Sequence, residues 1–270
     1  MPRAFHNPTK PRSKRPNGVI IYQGPSILDG SPIVVILTGL NAGSANRKTG
    51  KMLQTWILRT DIDPIAAVAS GADAGICGDC PHRRRRHFDG KFRRTCYVNV
   101  GQGPLAVYGA FHRGGYPHID SPEGRAAIER AIARGVTEAL RVGSYGDPTA
   151  APFAAWEHAV GLISPKVRTG YTHQWRNPEF APFAALCMAS CDSPQDVEHA
   201  NAAGWRAFHV RPKGAPAPAG QVRCPSDPTG RVHVPCTSCG QCSGSGGRRT
   251  RSVWITAHGP SARFVALPVA

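Results

Sequence analysis

Residues 139–148 read ALRVGSYGDP; 167–175, 186–190 and 205–210 read VRTGYTHQW, LCMAS and WRAFHV. Each starts with a short apolar or β-branched run and ends in polar residues, as a strand does when its end opens onto a functional edge. Helix signals fill the gaps. Ala151–Ile163 is an apolar-periodic helix and Pro178–Ala185 a short one. Ser193-Pro194 opens a helix to Ala203, with serine as the N-cap and proline in the first turn. Strands alternating with helices across short loops predict a parallel sheet with crossover helices. The expected fold class is α/β, a partial or complete (β/α) barrel-like sheet, with a doubly wound sheet as the alternative.

Outward from this core, 19–22, 33–38, Met52–Leu58 and Cys96–Val100 read as strands on the N-terminal side. Asp63-Pro64 caps a short helix, Pro104–Arg113 is another, and Ser121-Pro122 caps one to about Arg134. Ser252–His258 is a last strand. The expected organisation is a basic arm, 1–17, followed by one α/β domain, 18–270. That domain carries a Cys-rich loop, 77–96, and a Cys-rich insertion, 221–247.

Nine cysteines stand in this chain without a visible secretory signal, and an odd count argues against a disulfide framework. Their spacing reads as metal binding. Cys77 and Cys80 form C-x2-C, with Cys96 following; His82 or His87 is a possible fourth ligand of a closed zinc site. Cys236, Cys239 and Cys242 form C-x2-C-x2-C, with Cys224-Pro225 upstream. That crowding matches iron–sulfur loops better than paired zinc knuckles, so iron–sulfur is favoured and zinc is the alternative. Cys187 reads as a core residue. Cys191, at a strand end, is a candidate to complete the three-thiolate site.

The net charge of +16, from 33 basic and 17 acidic residues, is concentrated. Fifteen of the basic residues fall in three segments with a single acid, Asp89. These are the arm, residues 83–94 (Arg83, Arg84, Arg85, Arg86, Lys91, Arg93 and Arg94), and Arg248, Arg249 and Arg251. Basic patches on a nearly neutral body point to nucleic acid or another polyanion. No apolar run is long enough to span a membrane, and the expected location is the cytoplasm.

Functional groups of parallel sheets collect at the C-terminal ends of strands. Here those ends offer Asp147, His173, Gln174, Ser190, Arg211 and His258, of which Asp147 serves equally as a helix N-cap. Familiar nucleotide and deaminase motifs fail: Lys48-Thr49 lacks the glycines of a phosphate loop, and Pro235-Cys236-x-x-Cys239 has no H-x-E partner.

The runs CGDCPHR (77–83), CYVNV (96–100), PLAVY (104–108), RVGSYGDP (141–148), GYTHQW (170–175) and MAS (188–190) resemble an uncharacterised family of phage and prophage proteins. The resemblance implies a phage-derived protein of the host cytosol. More loosely, the chain is similar to radical S-adenosylmethionine enzymes, although their loop is C-x3-C-x2-C. That likeness implies a cluster on Cys77, Cys80 and Cys96 with one open iron, and Gly146-Asp147 near the cofactor's amino group. It implies an auxiliary cluster on Cys224, Cys236, Cys239 and Cys242. The expected function is an iron–sulfur, radical-type enzyme acting on nucleic acid or a nucleotide. The alternatives are a non-catalytic, zinc-stabilised nucleic-acid-binding protein and a hydrolase using Asp147 and His173.

Overall fold

The computed structural model describes residues 15–265, apart from Ala45, Phe88, 247–249 and Pro260. Most of the basic arm, together with Arg248 and Arg249, lies outside the described residues. The chain opens with β1 (Gly18–Pro25), β2 (Pro32–Thr38) and β3 (Leu53–Arg59). Two short helices follow, α1 (Pro64–Ser70) and α2 (Ala74–Cys77), then a small hairpin of β4 (Arg85–Arg86) and β5 (Phe92–Arg93). Next come α3 (Gly103–His112), α4 (Pro122–Ala133), β6 (Ala139–Tyr145), α5 (Phe153–Ile163) and β7 (Val167–Thr172). The remainder is β8 (Met188–Cys191), α6 (Pro194–Ala202), β9 (Ala207–Arg211), β10 (Val222–Arg223), α7 (Cys236–Cys239) and β11 (Val253–Thr256).

The caps are those the sequence announces. Asp63 accepts from the amides of Ile65 and Ala66, Ser121 from Gly124, and Ser193 from Asp196. Nine strands form one sheet in the order β1-β2-β3-β6-β7-β8-β9-β11-β10. The first three run antiparallel. From β3 to β10 every neighbouring pair is parallel. The α/β class therefore holds, but the sheet is open, with β1 and β10 as its edges. β1 and β2 are joined by a short turn and β2 and β3 by the loop 39–52, and both pairs are antiparallel, so the N-terminal strands do not continue the βαβ rhythm that would close a parallel barrel.

Strand residues alternate between two cores. Ala189 and Ala207 join the main core with Ala127 and Ile128 of α4, Trp156 and Ala159 of α5, and Val197 and Ala200 of α6. Their chain neighbours Met188 and Phe208, with Tyr171 and Val253, form a second cluster that includes Cys224 and Cys242. Over β7–β11 one face of the sheet thus carries the helix-side core and the other the second cysteine segment, while Trp56 of β3 packs against Gly103 of α3. Cys187 and Cys191 are both fully buried in the helix-side core. Cys191 is therefore a packing residue and not a ligand reaching toward the other thiols.

The segment 96–100 is irregular, not a strand. The Arg94 guanidinium takes the carbonyls of Cys96 and Val98, supplying from a side chain what a neighbouring strand would have supplied.

Candidate metal centre

The first cysteine loop is built around an inward-turned arginine. Arg83 pairs with Asp73 at 2.8 Å and also donates to the carbonyls of Gly71 and Gly78. Gly78 has φ +52, and a Cβ there would lie 2.5 Å from the Gln174 amide, so the loop presses directly on the end of β7. Arg85 donates to the carbonyls of Asp79 and Cys80. Of the seven basic residues in 83–94, Arg83, Arg85 and Arg94 thus stitch the loop together, and Arg93 pairs with Asp89. Arg84, Arg86 and Lys91 are exposed, Arg84 over the Phe92 ring. Arg251 is exposed too, but its carbonyl is held by Arg206.

Cys77 and Cys96 lie close enough to feel each other and Cys80. Burial lifts the Cys77 thiol well above its ordinary range, and charge on Cys80, Asp73, Cys96 and Asp147 adds to this. Burial also lifts Cys96, with Arg94 opposing. Next to these thiols stand two imidazoles and a carboxylate. His82 Nε2 lies 2.8 Å from Asp192 Oδ1, and His173 Nε2 lies 3.2 Å from Asp192 Oδ2. The two rings meet edge to face at 5.6 Å. Burial draws the His173 imidazole down, but Cys80 and Asp192 outweigh it and hold the group well above its usual value. Burial works against the Asp192 carboxylate too, yet His173 and His82 keep it well below the normal range. Both nitrogens of His82 are engaged, the second by Thr95 Oγ1 at 2.8 Å.

Asp147 is fully occupied by the chain. Its Oδ1 accepts from the Thr149 amide and hydroxyl and from Thr172, and its Oδ2 from the His173 amide. It is the N-cap of a 3₁₀ turn, 148–150, and it pins the end of β7. Gly146 has φ +83, and a Cβ there would sit 2.7 Å from Ile57 Cβ, so this glycine serves close backbone packing. Ser190 is buried, and its carbonyl accepts from Trp175. Gln174 Nε2 is buried without a partner.

The second group packs on the sheet face that carries Met188, Tyr171 and Phe208. The amides of Cys236 and Thr237 donate to the carbonyls of Lys48 and Thr49, which dock α7 on the loop after β2. Burial pushes Cys242 up to about 12, although a hydrogen bond with Tyr171 opposes the rise. Arg206 holds the following segment through the carbonyls of Gln241, Gly244 and Arg251. His258 lies beside this group, 2.8 Å from Lys48 Nζ and stacked on Tyr97. It is apart from the trio formed by His82, His173 and Asp192.

Sequence reasoning singled out His173 and His82 but not Asp192. Its signal was its position, one residue beyond β8, matching His173 one residue beyond β7. Lys48, Tyr97 and Arg141 were also missed, because only the fold brings them to the second group. No family model, curated protein or solved structure matches the chain. Among the described residues no helix is long and apolar enough to cross a membrane.

Proposed function

We propose that the chain is an iron–sulfur enzyme acting on an anionic substrate, nucleic acid or a nucleotide. Cysteine spacing along the chain carries the reading: Cys236, Cys239 and Cys242 follow one another at two-residue gaps with Cys224-Pro225 upstream, the crowding of iron–sulfur loops and not of paired zinc knuckles. Cys77, Cys80 and Cys96 would hold one cluster, and Cys224, Cys236, Cys239 and Cys242 the other.

Such a group supplies one-electron chemistry, and three thiolates leave one iron open to a substrate or to S-adenosylmethionine. The chain's own residues offset the thiolate charge. Arg94 acts on Cys96, and Arg141 and Lys48 act on Cys236. Asp147 is buried with both oxygens bonded to the chain, and we read it as fixing the β7 end and the backbone of His173.

Anaerobically purified protein tests the proposal. Brown protein with about eight iron per chain, the content of two four-iron clusters, is the expected result. Colourless protein with about two zinc overturns it. The second reading, a zinc-stabilised nucleic-acid-binding protein, draws on the exposed Arg84, Arg86 and Lys91 at the small hairpin. The same metal measurement separates the two.

A further inference from the structure

We infer that His82, His173 and Asp192 form a divalent-metal site of their own, a two-histidine, one-carboxylate centre that opens onto a cavity and adjoins the first cysteine group where His173 meets Cys80. This inference does not rest on the cysteine reading. Among the described residues it is the one group of histidine, cysteine and acidic side chains whose ligand atoms all lie within 4.8 Å. The three come from different elements: the first cysteine loop, the end of β7 and the end of β8. Their N···O separations of 2.8 and 3.2 Å are near the roughly 3.3 Å between ligands on an ion with 2.0–2.1 Å bonds.

The surroundings are those of a held ligand set. Thr95 Oγ1 lies 2.8 Å from His82 Nδ1, fixing the ring so that Nε2 faces Asp192. The His173 amide is tied to Asp147 Oδ2 and the Asp192 amide to Asp196 Oδ2, so both backbones are pinned. The side chains are 16%, 14% and 24% exposed, which shields them from bulk water yet leaves a face open. That face meets a cavity of about 360 Å³ lined by Asp79, Gln174, Arg176 and Asn177. A mixed nitrogen and oxygen set with vacant positions suits Fe(II), Mn(II) or Zn(II).

Mn(II) is the probe, because it competes poorly for thiolates. Manganese binding to the protein as purified is followed by electron paramagnetic resonance, with iron, zinc and circular dichroism recorded on the same samples. One ion per chain is expected, with binding lost in His173→Gln and in Asp192→Asn. Thr95→Val, which keeps all three ligands, should weaken binding by about tenfold. Unchanged binding in both ligand variants, or no binding to the wild type at millimolar metal, overturns the site. Manganese bound to protein whose cysteines carry zinc supports this site while refuting the iron–sulfur proposal. Protein that holds about eight iron and no other metal per chain, the content of two four-iron clusters, and takes up no manganese does the reverse.

Discussion

The Tyr97 ring stacks on the His258 ring, with centroids 5.7 Å apart and planes inclined at 28°. Tyr97 follows Cys96 of the first group, and His258 lies just past β11 beside Lys48 and the second group. This aromatic contact therefore joins the two cysteine regions. The Tyr97 hydroxyl also meets Arg141 on β6. Tyr97→Ala should cost about 1 kcal/mol in urea unfolding, while Tyr97→Phe, which retains the stack, should cost less than half of that. Equal losses would mean that the hydroxyl and not the ring makes the link.

Gly146→Ala should be among the most damaging single substitutions. It combines a positive φ with a Cβ 2.7 Å from Ile57 and 3.1 Å from two carbonyl oxygens. A loss of about 3 kcal/mol is expected from strain and overpacking together. Gly30→Ala, with φ +76 but open space, should lose only about 1 kcal/mol. Thermal melts of both variants check the contrast.

Arg206 is 5% exposed and its guanidinium serves carbonyls from three residues of the segment after α7. Arg206→Met should cost about 3 kcal/mol, because hydrogen bonds to a buried charge are lost and the carbonyls are left without partners. Hydrogen exchange should rise in 241–251 before it rises elsewhere. Uniform loss of protection would show that the arginine stabilises the whole sheet and not this segment.

The basic loop divides into two sets of side chains. Replacing Arg84, Arg86 and Lys91 together with glutamine should cost about 1 kcal/mol or less, the exposed bond of Arg84 to the Ala69 carbonyl being lost, and lower the salt slope of nucleic-acid binding by roughly 2–3. Arg83→Gln breaks the pair with Asp73 and should instead destabilise the fold. A salt slope untouched by the triple change would remove the hairpin from any polyanion surface.

Asp227 gives a pH dependence. Burial works against its charge, but bonds from Thr229, the Thr256 amide and Arg223 hold the carboxyl well below the usual carboxylate range. A depressed folded value means that the carboxylate's contribution is present at neutral pH and above the unfolded value near 3.9. It is lost as pH falls through the acid region below about 4. Asp227→Asn should flatten that acid limb of the stability curve. An unchanged limb would assign the acid sensitivity to another carboxylate.

Local grammar was readable because caps and strand patterns act over a few residues. Asp63, Ser121 and Ser193 cap the helices expected of them, and β6, β7, β8 and β9 fall where apolar runs end in polar residues. The open edge was not readable, since it depends on which strands pair. Asp192 was hidden for a related reason: His82 is 110 residues away in the chain, and only the fold brings the two together. The arginines of 83–94 were counted as a surface. An irregular loop exposes many carbonyls, and three of those guanidiniums turned inward to meet them.

β11 is the last strand of the described chain, yet it lies between β9 and β10 in the sheet. During synthesis, β9 must wait with an unpaired edge until residues 253–256 emerge from the ribosome. The cysteines at 224–242 emerge just before that closure, while the face they cover is still accessible. Ribosome stalling short of β11 would leave nascent chains with a sticky sheet edge and exposed thiols together. On the proposed reading, metal loading at these cysteines would be coupled to the final step of sheet assembly.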